Sequence, residues 1–423
     1  MLTLKSKLLA LLGGVLLSAS AVLAQDSGPL LDALVRKGIL TNQEAEDLRA
    51  DLVRDSNTIP AHAFAGNKST DRISVGMRIQ TQFAGLNTDI KRVSVDPVAT
   101  DHFFLRRAYL TLKAGLVGDW SAVFTYDFAG ASYDDAIVEY KPNSDLTFDF
   151  GLRKVNVSYE ERGSSGNIKS IERSALTRFF VESNNGRRLG AASYRIGAFL
   201  DGKKDAIGPN GMGLVYSAAI TNPERADTAT IASATGDNTS NKPAFWGNVG
   251  LTGKLTNGTY LFGVGAGYLP DQGGASNTNL GKGFDLSIYS VYADVTAGSW
   301  GLMAEYLTAK VEGGVSATVD SKPSGFYLQP SYSFTDTLEA VFRYTAVNSD
   351  GRGINLSDGI RSAPGGGTMK KLTESYVGGN WYIRGNDLKF QLGVLQAQTK
   401  DNLNGTRADA TAYGVRSQLQ INF

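Results

Sequence analysis

Apolar and polar side chains alternate along this chain from Arg72 to Phe423, most clearly in the last segment. Between Ala410 and Phe423, Tyr413, Val415, Leu419, Ile421 and Phe423 share one parity, and Arg416, Gln418, Gln420 and Asn422 share the other. A period of two puts alternate side chains on opposite faces of a β-sheet. One face here is apolar and the other suits water, as in a barrel with lipid outside and water inside. A bilayer leaves strands no other way to satisfy their backbone groups. The pattern predicts an all-β, 16-stranded antiparallel transmembrane β-barrel, and its water-filled interior implies a channel.

The sixteen segments that carry the pattern are 72–86, 103–116, 119–129, 134–141, 146–154, 187–201, 211–221, 244–256, 259–269, 283–296, 299–309, 324–335, 337–347, 372–384, 387–399 and 410–423. Tight hairpin turns are expected at Val117-Gly118-Asp119, Thr256-Asn257-Gly258, Ala297-Gly298-Ser299, Thr335-Asp336-Thr337 and Gly385-Asn386. Most other connections are long: 87–101, 155–186, 222–243, 270–282, 310–323, 348–371 and 400–409. Short turns at one end and long loops at the other describe an outer-membrane barrel. Aromatic residues of outward parity, such as Trp120, Phe124, Phe128, Phe262, Tyr268, Trp300, Tyr306, Phe334, Trp381 and Phe423, suit the girdles at headgroup depth.

Residues 1–24 have a different pattern. Lys5 and Lys7 precede the apolar stretch Leu8–Leu17, and Val22-Leu23-Ala24 offers a small-residue cleavage site, so 1–24 is expected to be a signal peptide. Residues 25–71 are expected to form a periplasmic helical segment and linker. Leu30, Leu31, Leu34 and Val35 recur at helical spacing, and Thr41 to Glu44 reads as a capping box. Residues 72–423 form the barrel domain in this division. Export through the signal peptide places the chain in the bacterial outer membrane, in contact with lipid.

Composition adds two constraints. The chain has no cysteine, 49 glycines and 11 prolines, which suits curved strands that are not stapled by disulfides. Only His62 and His102 exist, both outside the predicted spanning cores, and no Cys/His cluster is present. The chain is therefore expected not to be an enzyme, with no cofactor, metal or nucleic-acid partner. Gly263, Gly265 and Gly267 resemble a glycine motif, but no helix follows them. They read instead as small inward residues at a crowded wall.

Charge is uneven. Residues 150–205 hold eleven basic residues: Arg153, Lys154, Arg162, Lys169, Arg173, Arg178, Arg187, Arg188, Arg195, Lys203 and Lys204. Against them stand six acidic ones: Glu160, Glu161, Glu172, Glu182, Asp201 and Asp205. Ile171 to Leu176 has a local helical look, and a long loop with its own secondary structure can fold into the lumen and narrow it. In the first strand Ile73, Val75, Met77 and Ile79 face lipid, so Arg78 faces water. In the second, Arg107, Tyr109, Thr111 and Lys113 face water. Arg106 has the lipid-facing parity, so it sits at an interface or a bulge shifts the register. Rings of Arg and Lys in a narrow pore concentrate anions, and the planar fork of Arg suits oxyanions. The alternatives are a general or sugar-preferring porin and a structural barrel that tethers the envelope through its N-terminal helices. A sugar channel would show an aromatic track, and inward Tyr109, Tyr289 and Tyr327 are scattered.

Leu105-Arg106-Arg107-Ala108-Tyr109-Leu110-Thr111-Leu112, Asp119-Trp120, Tyr126-Asp127-Phe128-Ala129, Asp135-Ala136-Ile137-Val138-Glu139-Tyr140, Glu172-Arg173-Ser174 and Arg187-Arg188-Leu189-Gly190 together resemble motifs of the phosphate-selective porin O and P family. The resemblance implies a sixteen-stranded outer-membrane barrel, commonly a homotrimer, that passes phosphate or related small anions. It implies lumen or constriction positions for Arg78, Arg106, Arg107, Lys154 and Arg173, and a lumen acid at Asp127 that tunes which anion is preferred. The chain departs from the family after Lys154, where it lacks the usual Pro-Phe step.

Overall fold

The structure, a computed structural model, describes residues 58–60, 70–90, 100–116, 118–182, 186–208, 211–223, 242–274, 283–363, 368–402 and 409–423. The expected signal peptide and the helix pair between Gln25 and Asn67 lie outside these residues, apart from a short strand at 58–60. The strands are β1 (Thr58–Pro60), β2 (Thr70–Ile90), β3 (Thr100–Leu116), β4 (Trp120–Asp127), β5 (Ser132–Asn143), β6 (Leu146–Lys154), β7 (Tyr194–Lys204), β8 (Gly213–Thr221), β9 (Ala244–Leu255), β10 (Gly258–Leu269), β11 (Leu286–Ala297), β12 (Trp300–Ser316), β13 (Val319–Ser321), β14 (Ser324–Ser333), β15 (Leu338–Asn348), β16 (Met369–Asn386), β17 (Leu388–Asn402) and β18 (Ala410–Asn422). Two of them, β1 and β13, are three-residue pieces. The other sixteen each pair antiparallel with their sequence neighbours, and β18 pairs with β2 to close the barrel. At that seam the last residue takes part, with Phe423 N donating to Met77 O at 3.0 Å and Met77 N to Phe423 O at 2.7 Å. The β3–β4 hairpin turns on Gly118 and Asp119, both left-handed at φ 75° and 65°, as a tight turn matched to strand twist demands.

Three short helices are described: α1 (Tyr159–Arg162), α2 (Ala175–Val181) and α3 (Leu356–Gly359). None is long and apolar enough to cross a membrane, so the strands do the spanning. The outward faces carry the expected apolar band; Trp300, Phe334, Trp381 and Phe423 are all more than half exposed to the surroundings.

Two expectations need correction. The strand expected from residue 187 begins at Tyr194. Residues 189 and 191 instead dock on α2, where Leu189 N and Ala191 N donate to Phe179 O and Phe180 O, and Leu189, Ala191 and Ala192 are buried. Tyr289 faces outward, 51% exposed, while its neighbours Ile288 and Ser290 are buried inside. The cause is an apolar core within the barrel. Val155, Val157, Leu176, Phe179 and Phe180 of the β6–β7 loop pack on inward Trp246, Leu286, Ile288, Leu307, Tyr327 and Val347. Each fully buried Leu or Phe there contributes about 1.5–3 kcal/mol relative to exposure. The wall makes room with glycine, as expected of the 263–267 run. A Cβ on Gly265 would lie 2.8 Å from Val157 O.

Candidate functional site

The loop between β6 and β7 folds into the lumen because its helices are capped and its backbone is gripped by inward polar side chains. Ser158 caps α1, and Tyr159 N and Glu160 N donate to Glu305 of β12 at 2.8 and 3.2 Å. Ser174 caps α2, and Ala175 N donates to Glu374 of β16 at 2.7 Å. Buried carboxylates thus meet the unpaired N–H groups at the two helix starts. Between the helices, Lys389 of β17 donates to Gly166 O and Ile168 O, Gln420 of β18 to Gly166 O, and Arg343 of β15 to Glu172 O. Lys169 of the loop reaches Glu339 at 2.6 Å and Ser331 at 2.8 Å. The loop is therefore tied mainly to the β12–β18 side, which leaves polar space against β3–β6.

Two cavities fill that space. One of 280 Å³ is lined by Arg106, Arg107, Asp127, Lys154, Glu172 and Arg173, among others. The other, of 420 Å³, is lined by Arg78, Thr111, Asp135, Asp149, Arg153 and Arg162, among others. They share Tyr109, Asp134, Lys154, Ser165 and Tyr194, which therefore form the waist between them. Along β3, Arg106 and Arg107 precede Tyr109, and Thr111 follows it toward the β3–β4 turn. The first cavity is thus on the long-loop side and the second on the short-turn side.

Two β-bulges aim charge into these cavities. In the β2–β3 pair, Gln80 faces Arg107 and Thr81 faces Leu105, so Arg106 is the extra residue. The bulge weighed for Arg106 is present, and it turns both arginines inward. In the β4–β5 pair, Thr125 faces Asp135 and Tyr126 faces Tyr133, so Asp134 is extra and both aspartates line the lumen.

The partners of each expected residue differ. Arg106 donates to both carboxylate oxygens of Glu172 at 2.5 and 3.2 Å. Arg107, 4% exposed, donates to Gln80 Oε1 at 2.7 Å. Arg78 donates to Ser165 Oγ at 3.0 Å and Asn422 Oδ1 at 2.8 Å. Among the described residues, Arg78 and Arg107 form no ion pair with a carboxylate. Lys154 lies 3.2 Å and Arg173 3.0 Å from Glu161. Arg153 bridges Asp149 and, at 2.6 Å, Asp201. Arg162 lies over the rings of Tyr159 and Tyr292, 4.8 and 4.9 Å from their centroids. Asp127 accepts from Ala108 N and Ala129 N, each at 3.0 Å, and so fixes the bulge and the β4–β5 turn.

The remaining expected residues lie outside both cavities. Lys113 is exposed beside Glu139 at 3.4 Å. Lys169 lines a separate cavity of 590 Å³. Arg178 pairs with Glu182 at 3.0 Å, Arg187 with Asp358 at 2.7 Å and Arg188 with Glu182 at 2.7 Å. Arg195 is buried and donates to Gly190 O and Pro223 O. Apart from Lys113, these residues hold loops in place.

Sequence reasoning missed Arg361, Arg343 and Arg416. Arg361 comes from a second inward loop, between β15 and β16, and reaches Glu172 at 3.4 Å and Glu182 at 2.6 Å. The signal was present as a capping box, Asn355 to Asp358, which starts α3. Arg416 lies 3.7 Å from Glu172, which thereby faces three arginines. Burial alone would push the Glu172 carboxyl up, but Arg106, Arg361 and Arg107 outweigh it and hold it well below the usual carboxylate range. Among the described residues, no three His, Asp or Glu side chains gather to hold a metal ion.

A model of the family described as phosphate-selective porin O and P matches residues 73–423. Porin O of Pseudomonas aeruginosa is 22% identical over 429 residues, which cover 86% of this chain and 96% of the relative. The outer-membrane channel DcaP of Acinetobacter baumannii superposes at a TM-score of 0.53 with 14% identity, covering 86% of this chain and 99% of that one. OprB of Pseudomonas putida superposes at 0.50 with 10% identity, covering 84% and 94%. These two structural likenesses concern the barrel fold alone.

Proposed function

The chain belongs to the phosphate-selective porin O and P family, a family of outer-membrane porins, and on that premise we propose that its channel prefers small anions, phosphate or related oxyanions among them. The observation that carries this reading is the state of Arg78 and Arg107. Both guanidiniums line the lumen with neutral partners only, Ser165 and Asn422 for one and Gln80 for the other. A guanidinium with neutral partners keeps its full charge for a passing oxyanion, and its planar fork can donate two hydrogen bonds at once. Lys154 and Arg173 sit beside them, but each shares Glu161. The name of Porin O, whose family this chain shares, agrees with a porin and leaves the anion to experiment.

Homotrimeric assembly is part of the proposal, on the family resemblance, and chemical cross-linking of the purified protein tests it. The division into a signal peptide, a periplasmic segment and a barrel from residue 72 is likewise proposed. The experiment for selectivity is the zero-current potential across a planar bilayer in a KCl gradient. An anion-preferring parent with weakened preference in Arg78→Gln and Arg107→Gln is the expected result. A parent that prefers cations, or neither ion, overturns it.

A further inference from the structure

Asp134 and Asp135 face the same waist as the arginines, yet among the described residues neither lies in ion-pair contact with a basic group. This is unusual for a cavity so rich in guanidinium. Asp134 is 9% exposed, and the bulge that brings it inward interrupts the β4–β5 ladder. A third carboxylate in that wall, Asp149, pairs with Arg153 through one oxygen and keeps the other, Oδ1, buried without a hydrogen-bond partner. In the same cavity, Arg78 is likewise without a carboxylate partner. Arg153 and Asp149 of this 420 Å³ cavity pair with each other, whereas Asp134, Asp135 and Arg78 line it without an ion pair, which leaves each sign available to a solute. The carboxylates are not gathered for a metal ion. An organic ammonium, which needs no convergent ligand set, fits them better.

We propose that this cavity favours small zwitterions, solutes with an ammonium at one end and a carboxylate or other oxyanion at the other. The oxyanion faces Arg78; the ammonium faces Asp134 and Asp135. The proposal rests on the reading of Arg78 as an anion contact and adds the two aspartates to it. A neutral dipole that reaches from Arg78 to the aspartates gains at both ends. A simple anion gains at one end and is repelled at the other.

The test is flux of radiolabelled β-alanine and of propionate, matched in length, into proteoliposomes holding the full chain. The parent is expected to pass β-alanine faster. In Asp134→Asn/Asp135→Asn, β-alanine flux should fall about twofold to fivefold, the scale of a solvent-screened ion pair. Propionate flux should hold or rise. Asp135→Asn alone, which leaves the bulged residue untouched, should shift the ratio the same way by less. Equal fluxes in the parent, or equal losses of both solutes in both variants, overturn the proposal. If the KCl potential shows no anion preference while the flux ratio still depends on the aspartates, the anion reading falls and this one stands.

Discussion

Arg106 and Glu172 meet in a bidentate pair, with guanidinium Nε and Nη2 on the two carboxylate oxygens at 2.5 and 3.2 Å. One partner is the extra residue of a wall bulge; the other belongs to the inward loop, so the pair fastens the loop to β3, as Lys154 with Glu161 does to β6. Glu172 also answers Arg361 and Arg416. Replacing it by Gln leaves three guanidiniums without their shared carboxylate, and breaking a buried pair this way costs about 3–5 kcal/mol. Limited proteolysis should cut the 155–193 loop of Glu172→Gln faster than that of the parent, and single-channel records should be noisier.

The same pair sets a pH dependence. The Glu172 carboxyl is held below its ordinary value. Its contribution to loop stability is therefore complete above about pH 4.3, where an ordinary glutamate titrates, and is lost as pH falls through the lower, folded value. The difference in channel noise between the parent and Glu172→Gln should stay constant as pH is brought down to about 4.3 and shrink only below it. Glu172→Gln should show the acid-state noise throughout. A difference that already shrinks near neutral pH would contradict this.

Phe179 and Phe180 are fully buried in the core that the loop forms against the barrel wall. Phe179→Ala should cost about 3–5 kcal/mol. That loss falls on the loop, because the strand ladder does not depend on it. Conductance should rise as the loop leaves the lumen, while the unheated protein still runs as a folded barrel on gels.

Gly166 touches the guanidinium of Arg78. A Cβ there would lie 2.8 Å from its Cζ. That guanidinium is the free end of a flexible chain, so Gly166→Ala should move Arg78 at little cost to stability. The comparison is Gly163→Ala, whose Cβ would come no nearer than 3.5 Å to Glu160 O. Reversal potentials should shift toward lower anion preference in the first variant and hold in the second.

The sixteen strands were legible because alternation, hairpin turns and long loops all follow from local rules. The inward course of the β6–β7 loop was legible from its length, but the helix expected over Ile171–Leu176 begins only at Ala175, after its Ser174 cap. What alternation could not show is where the lumen stops being wet. Leu286 and Ile288 are inward and apolar because a loop core covers them, so parity judged by polarity put Tyr289 on the wrong side. Nor could it show Asp134, since two adjacent aspartates cannot both face the lumen without a bulge. The basic excess of 150–205 pointed to the right loop, but counting charges does not separate Arg195, spent on backbone carbonyls, from Lys154, which lines both cavities.

Arg107 and Lys113 lie on one strand with the same parity, and they make a paired test of the anion filter. Arg107 is buried at the cavity wall, with Gln80 as its neutral partner. Lys113 is solvent-exposed and sits 3.4 Å from Glu139. A charge-assisted hydrogen bond from a buried guanidinium is worth about 1.5–3 kcal/mol, whereas an exposed paired charge contributes about 0–1 kcal/mol. Arg107→Ala should therefore lower phosphate block of chloride current by about tenfold or more, and Lys113→Ala should change it by less than about fivefold. Raising the salt to 1 M, where the Debye length is about 3 Å, should erase the Lys113 effect first, because water and ions reach it. If both variants behave alike at low and high salt, the filter is a diffuse field of lumen charge and not a site at Arg107.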